Sequence, residues 1–370
     1  MLRTLLRGLL GLVLLADTAG AAAHGSKVVD VLGREVVVPH HVERVLLGFY
    51  FEDFLAIVGP DAYDRVVAIS KATWHDWRQS QWQSYLKVIP RIDALEDVGE
   101  VDSGTFNIEK ALAVRPDVAI LAAWQYRALG DVVARFDAAG IPVVVVDYNA
   151  QEVERHVAST RAIGAVMGAT QRAEQLAQEY ADAVADVRAR VARSNAPRKK
   201  VYVELGNKGA AEYGNSYRDH MWGRVIETAG GENIANIASG KSTPLNPEHV
   251  LASNPDVILI AGSAWTSSRD VVLMGFGVDP GTTRARLRPY TERPGWSRLS
   301  AVASREVHAL YHGGARTLYD YTFLQYIAKR LHPEAFADVD PVANHRRFYA
   351  RWLPIQADGT FILALDPELR

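Results

Sequence analysis

Short, unbroken apolar runs recur along this chain: VVAIS at 66–70, VAILAA at 118–123, VVVVD at 143–147, VYVEL at 201–205, VILIAG at 257–262 and VHALY at 307–311. A run of this length without polar alternation predicts a strand buried on both faces, as in a parallel sheet. Gly140-Ile141-Pro142 punctuates the approach to one of them. Segments with helical spacing alternate with the runs, which favours α/β layers over sandwiches or barrels. Helical spacing is longest at 170–194, where Ala173, Leu176, Ala177, Tyr180, Ala183, Val184, Val187 and Val191 recur at steps of three and four. This pattern predicts one amphipathic helix of about 23 residues, ~35 Å long. Thr170 is its expected N-cap, and Asn195-Ala196-Pro197 ends the run.

One unit of this pattern occurs twice. Residues 108–121 read IEKALAVRPDVAIL and residues 247–260 read PEHVLASNPDVILI. Glu109 matches Glu248, Leu112 matches Leu251, and Pro116-Asp117 matches Pro255-Asp256. Each copy reads as a short helix, ended by an X-Pro step because the residue before proline avoids the α region, followed by a buried strand. Repetition at a domain-sized interval predicts two similarly built lobes, with the long helix carrying the chain between them. A single helical strut also predicts limited hinge opening.

The first 23 residues follow another rule. Arg3 and Arg7 precede an apolar stretch from Gly8 to Ala16, with small residues at Ala21 and Ala23. A positive start, a short apolar core and an A-x-A end read as a secretory signal peptide cleaved after Ala22 or Ala23. The core is too short for a permanent bilayer span. The chain contains no cysteine, which excludes disulfides, thiolate metal sites and a cysteine-borne lipid. With 41 basic and 43 acidic residues it shows no basic stripe of the kind nucleic acid requires. No GxSxG elbow, phosphate-binding GxxxxGK[ST], GxGxxG or HExxH motif is present, so no hydrolase or nucleotide enzyme is indicated.

With these pieces in order, the sequence resembles the periplasmic binding proteins of iron-siderophore, haem and cobalamin ABC importers. The resemblance rests on VVDVLGREVVVPHHVERVLLG at 28–48, FNIEKALAVRPDVAIL, GIPVVVVD at 140–147, AGGENIA at 229–235, STPLNPEHVLASNPDVILI and RPGWSRLSAVASREVHAL at 293–310. It implies two Rossmann-like lobes with mainly parallel sheets, joined by one long helix, and a ligand cleft between them. It also implies a periplasmic monomer without enzymatic activity and without an intrinsic cofactor, in which iron is present only as part of a bound chelate. The partner it implies is the transmembrane permease of an ABC importer, docked through Glu109 and Glu248. A ferric-siderophore-type chelate is the expected ligand, with haem or cobalamin as alternatives; a secreted α/β enzyme or a non-transport binding protein is the remaining reading.

The expected partition is a signal peptide at 1–23, a first lobe at 24–169, the connecting helix at 170–195, a second lobe at 196–331 and an extension at 332–370 packed on the second lobe. In parallel α/β lobes, binding groups cluster on segments leaving the carboxyl ends of strands. The candidates there are Trp74, His75, Trp124, Tyr126, Arg127, Tyr213, Arg218, Trp265, Tyr311 and Arg316. Aromatic rings supply rigid contact area and arginines supply forked donors for an anionic chelate. Trp77 and Trp82, on what reads as a long loop at 71–90, are expected to pin that loop to its own lobe. Gly313-Gly314 marks either a close backbone approach to ligand or an ordinary turn.

Overall fold

The computed structural model describes residues 25–265 and 270–366. The signal-peptide expectation, at 1–23, lies outside the described residues. Five strands form the first sheet: β1 (Val45–Leu47), β2 (Val66–Ile69), β3 (Glu96–Asp97), β4 (Val118–Ala122) and β5 (Val143–Val146). They lie in the order β3-β2-β1-β4-β5, all parallel. A second sheet holds β6 (Lys200–Leu205), β7 (Glu232–Asn233), β8 (Val257–Gly262), β9 (Val307–Tyr311) and β10 (Ile362–Ala364). Its order is β7-β6-β8-β9-β10, parallel except for β10, which runs antiparallel to β9. Every residue of β4, β5, β8 and β9 is buried, as unbroken apolar runs require when helices cover both faces.

The repeated unit has a physical basis. Asn107 and Asn246 each cap a short helix, accepting from the backbone N–H of Lys110 (3.0 Å) and of Glu248 (2.8 Å). Asp117 and Asp256, after the prolines, then fasten the first strand of their own lobe. Asp117 Oδ2 accepts from the amides of Glu43 (2.8 Å) and Arg44 (2.9 Å), just before β1. Asp256 Oδ2 accepts from the amide of Lys200 (2.8 Å), the first residue of β6. The same carboxylate thus sets strand position twice.

The connecting helix spans Thr170–Arg193 and buries Ala173, Leu176, Ala177, Tyr180, Val184 and Val187. Thr170 is its first helical residue and does not cap it; Ala169 precedes it and makes no side-chain cap. The stretch read as a loop at 71–90 also differs from expectation. It folds as two helices, Lys71–His75 and Gln79–Val88. Trp74, Trp82 and Tyr85 lie at most 1% exposed there, and this buried aromatic side stabilises helix where a loop of polar residues would have stayed open.

The extension beyond residue 332 supplies the helix Pro341–Trp352, capped by Asp340, and the edge strand β10. It reaches further than the second lobe. Trp352 O accepts from Arg172 Nη2 of the connecting helix (2.9 Å), and the Arg172 guanidinium lies 4.8 Å from the Trp352 ring centre. Tyr349 donates to Glu52 of the first lobe, at 2.9 Å to Oε1 and 3.1 Å to Oε2. Glu52 also receives Tyr85 (2.7 Å), Gln81 (2.6 Å) and Tyr319 (2.6 Å), so one buried carboxylate ties both lobes and the extension together. Close by, Asp53 Oδ1 accepts from the Leu318 amide (2.7 Å), and Asp320 Oδ2 contacts Gln151 Nε2 (2.9 Å) and His156 Nε2 (3.0 Å).

Candidate functional site

Both sheets reverse strand order at one point, between β1 and β4 in the first lobe and between β6 and β8 in the second. Such switch points open a crevice beyond the carboxyl ends of the strands, because the following helices leave on opposite faces. The two crevices face each other across a cleft of about 740 Å³, lined by Trp77, Asp102, Trp124, Arg127, Asp147, Asn149, Ala150, Glu152, Arg155, His220, Met221, Lys241 and Arg316. A smaller recess of about 160 Å³ shares Trp77 and Arg316 with it and adds Arg78, Leu205, Ser263, Trp265, His312 and Gly313. Surface cavities elsewhere have no comparable convergence of lobes: one lies at Arg193–Lys199 beside Leu331–Ala335, another at His345 and Thr360.

Many of the wall residues sit on segments that follow a strand end. Trp124 and Arg127 occupy the first turns of the helix Ala123–Leu129, which starts as β4 ends. Trp77 and Arg78 join the two helices after β2. Ser263 and Trp265 follow β8, and His312 and Arg316 lie on the 3-10 turn after β9. Asp147 and Asn149 follow β5, where Tyr50 donates to Asn149 Oδ1 (2.8 Å) from a left-handed backbone at φ 59°.

The charges in this cleft divide sharply. Arg155 is satisfied by Asp147 (3.4 Å) and Glu152 (3.9 Å), and the Asp147 carboxylate also caps the Asn149 amide (2.9 Å). Among the described residues no acidic partner pairs with Arg78, Arg127, Lys241 or Arg316. Arg78 is only 7% exposed, and Arg316 Nε is buried without a hydrogen-bond partner. Both guanidinium groups stack on Phe49, at 4.9 and 5.1 Å from its ring centre, so the ring holds two cations close together. Burial, reinforced by the charge of Arg78, lowers Arg316 to about 10, which leaves it protonated at neutral pH. Burial and then the same two arginines push His312 well below its ordinary value, so its imidazole is neutral. The nearest carboxylates, Glu52 and Asp53, line the small space that adjoins both guanidinium groups but form no ion pair with either, so an anion entering the cleft would find donors still open.

Of the residues expected at the site, Trp124, Arg127, Trp265 and Arg316 reach the cleft or its recess. Six do not, for identifiable reasons. Trp74 is fully buried in the first lobe, stacked on Phe51 at 4.7 Å. His75 turns to Asp76 (2.5 Å) and rests on Trp82. Tyr126 accepts from Arg34 (2.9 Å) on the flank of the first sheet. Tyr213 takes the Trp296 indole N–H (2.9 Å) and covers Arg293, whose guanidinium forms a buried two-point pair with Glu204 (2.6 and 2.9 Å). Arg218 is turned to the Ala238 carbonyl (3.0 Å) and Asp219. Tyr311 is buried beneath the recess, edge-on to Phe361. The two glycines beside it serve packing: a Cβ on Gly313 would sit 2.5 Å from the Tyr311 ring, and one on Gly314 would sit 2.2 Å from Phe323.

Sequence reasoning left out Arg78 and His312 and treated Trp77 as a lobe anchor. The helical spacing of Trp74, Trp82 and Tyr85 was the available signal for Arg78: once those three rings are buried, the turn between the two helices is directed toward the second lobe. Among the described residues no group of three or more His, Cys, Asp or Glu side chains gathers to hold a metal ion. Glu109 and Glu248 both lie on the exposed first turns of the repeated helices, Glu109 paired with Arg135 (2.8 Å).

Two α/β lobes on a helical backbone, with an aromatic and cationic cleft between them, define a small-molecule binding protein rather than an enzyme. Residues 45–311 match the periplasmic binding protein family, and the chain belongs to it, in the ABC-importer class built on one long helix. It is similar to a TroA-like periplasmic binding protein, FepB, from Veillonella parvula, with 34% identity, a TM-score of 0.86, and coverage of 92% of this chain and 99% of that one. The molybdate-binding protein MolA of Haemophilus influenzae is 22% identical over 358 residues, covering 90% of this chain and 93% of its own. Its molybdate-bound structure shares the fold with a TM-score of 0.67, as does the vitamin B12 binding protein BtuF of Vibrio cholerae with 0.57 over 80% of this chain and 99% of that one. No helix among the described residues is long and apolar enough to cross a membrane.

Proposed function

We propose that this protein captures an anionic ferric chelate of the siderophore class between its lobes and delivers it to an ABC importer permease, with Glu109 and Glu248 as the docking carboxylates. The observation that carries this reading is a pair of guanidinium groups at the floor of an aromatic cleft, Arg78 buried and Arg316 half-buried, neither of which forms an ion pair with an acid among the described residues. A cleft near 740 Å³ suits a ligand of organic-chelate size, and Trp77, Trp124 and Trp265 offer flat faces to its scaffold. Such a chelate brings its own metal ligands, so the wall needs to recognise only its outer surface and charge. A second reading is favoured by the recess, whose ~160 Å³ suits a bare oxyanion of the kind the Haemophilus relative is named for. Titration of tryptophan emission separates these. A ferric tris-catecholate is expected to quench saturably at one equivalent, and Arg316→Met to weaken it at least tenfold. Saturation by molybdate with no response to any ferric chelate would replace the first reading with the second. Saturation by haem or cyanocobalamin alone would reject both.

A further inference from the structure

The recess beside the cleft contains a histidine whose tautomer is dictated by its surroundings. Trp222 Nε1 lies 3.2 Å from His312 Nδ1. An indole N–H can only donate, so Nδ1 must be the accepting, unprotonated nitrogen. Burial and the two neighbouring arginines keep the imidazole neutral, so its one proton sits on Nε2. Trp222 is fully buried, edge-on to Phe323, and the His312 ring is held between Tyr217 and Trp265, each 6.0 Å away, so neither partner is free to turn. Nε2 is the nitrogen left for the recess, and it is a donor.

The other polar side chains lining the recess point to the same chemistry. Arg78 and Arg316 are donors with no accepting capacity, and the indoles of Trp77 and Trp265 can only donate. Ser263 directs its hydroxyl proton at the Trp77 carbonyl (3.3 Å), which leaves its oxygen as the one side-chain acceptor in the lining, an uncharged one. No carboxylate lines the recess. An anion that still carries a proton needs an acceptor for it; one whose oxygens are all bare does not.

We infer that the recess is an anion subsite that selects fully deprotonated groups over protonated ones, and that Trp222 sets this selectivity by holding His312 in its Nε2–H form. The inference rests on the cleft being the ligand site, and adds which group of the ligand enters first: a bare oxyanion edge, whether a free tetrahedral dianion or an ionised carboxylate on a chelate. In this arrangement His312 is a hydrogen-bond donor to the ligand and not a metal ligand, since its only lone pair is committed to Trp222.

The experiment compares sulfate with hydrogen phosphate by calorimetry at about pH 8, where both are tetrahedral dianions that differ by one proton. Ferric citrate serves as the chelate-borne arm. Sulfate is expected to bind at least about tenfold more tightly than phosphate, because one donor would otherwise face an O–H. Arg316→Gln should weaken both sulfate and ferric citrate by at least about tenfold. Trp222→Phe, which frees His312 to present an acceptor, should narrow the sulfate preference to within about threefold; circular dichroism checks that this variant is folded. Nitrogen NMR of the His312 ring reads the tautomer without any ligand. A proton found on Nδ1, phosphate bound as tightly as sulfate, or Arg316→Gln without effect on either anion would overturn the inference. Each of these can occur while a ferric chelate still saturates the cleft, whereas loss of all chelate binding would reject the proposed ligand class instead.

Discussion

Replacing Tyr349 with phenylalanine isolates the contact that ties the extension to the first lobe. The hydroxyl reaches both oxygens of Glu52, at 2.9 and 3.1 Å, and the two residues are 0% and 5% exposed, so water cannot easily take its place. The ring stays, so no cavity opens and the change reports the hydrogen bond alone. A hydrogen bond to a charged acceptor contributes about 1.5–3 kcal/mol. For a chain of this length, an unfolding entropy of about 2.1 cal/mol/K per residue gives roughly 0.8 kcal/mol per degree at the midpoint. Tyr349→Phe should therefore lower Tm by about 2–4 °C in scanning calorimetry. Because Tyr349 does not line the cleft, ligand affinity should change less than about twofold. A Tm within about 1 °C of the parent would show that Tyr85, Gln81 and Tyr319 already satisfy the carboxylate, and that the extension is not fastened through Glu52.

Three further outcomes follow from the same structure. Arg293→Met strands the buried Glu204 carboxylate, so it should cost about 3–5 kcal/mol in denaturant unfolding, and a loss below about 1 kcal/mol would contradict the pair's role. Burial pushes the Glu100 carboxyl up to about 7. Its folded value lies above its unfolded one, so its contribution to stability is complete below about pH 4.5 and lost as pH rises through about 7. Glu100→Gln should accordingly raise Tm relative to the parent near pH 8 and leave it nearly unchanged near pH 4. Reversing Glu109 and Glu248 to lysine together should abolish ligand uptake by cells while calorimetric affinity stays intact; normal uptake would remove both from the docking surface.

The fold was legible because it depends on periodicity. Unbroken apolar runs gave the buried strands β4, β5, β8 and β9, and the three-four spacing at 170–194 gave the connecting helix within a residue or two. The duplicated Pro-Asp steps marked the turn from helix to strand, but that the Asp117 and Asp256 carboxylates fasten a neighbouring strand appears only in the folded chain. The site was legible only in part, because reasoning from strand ends predicts where the chain emerges and not where a side chain turns. Trp124 and Trp74 both follow strands, yet one faces the cleft and the other stacks on Phe51. Tyr213 and Arg218 were drawn away by partners distant in sequence, Trp296 and Ala238, which no local pattern reveals. Arg78 lay inside a segment misread as loop, and its value arises from Arg316 and Phe49, which only folding brings beside it.

The crystal structure of the protein with a saturating ferric chelate tests the account most directly. The ligand should lie between the lobes with its scaffold against Trp77, Trp124 and Trp265, and one anionic oxygen within hydrogen-bond reach of both Arg78 and Arg316. A chelate seated in the groove beside Arg193 and Lys199, or one held in the cleft with both guanidinium groups turned away, would contradict it.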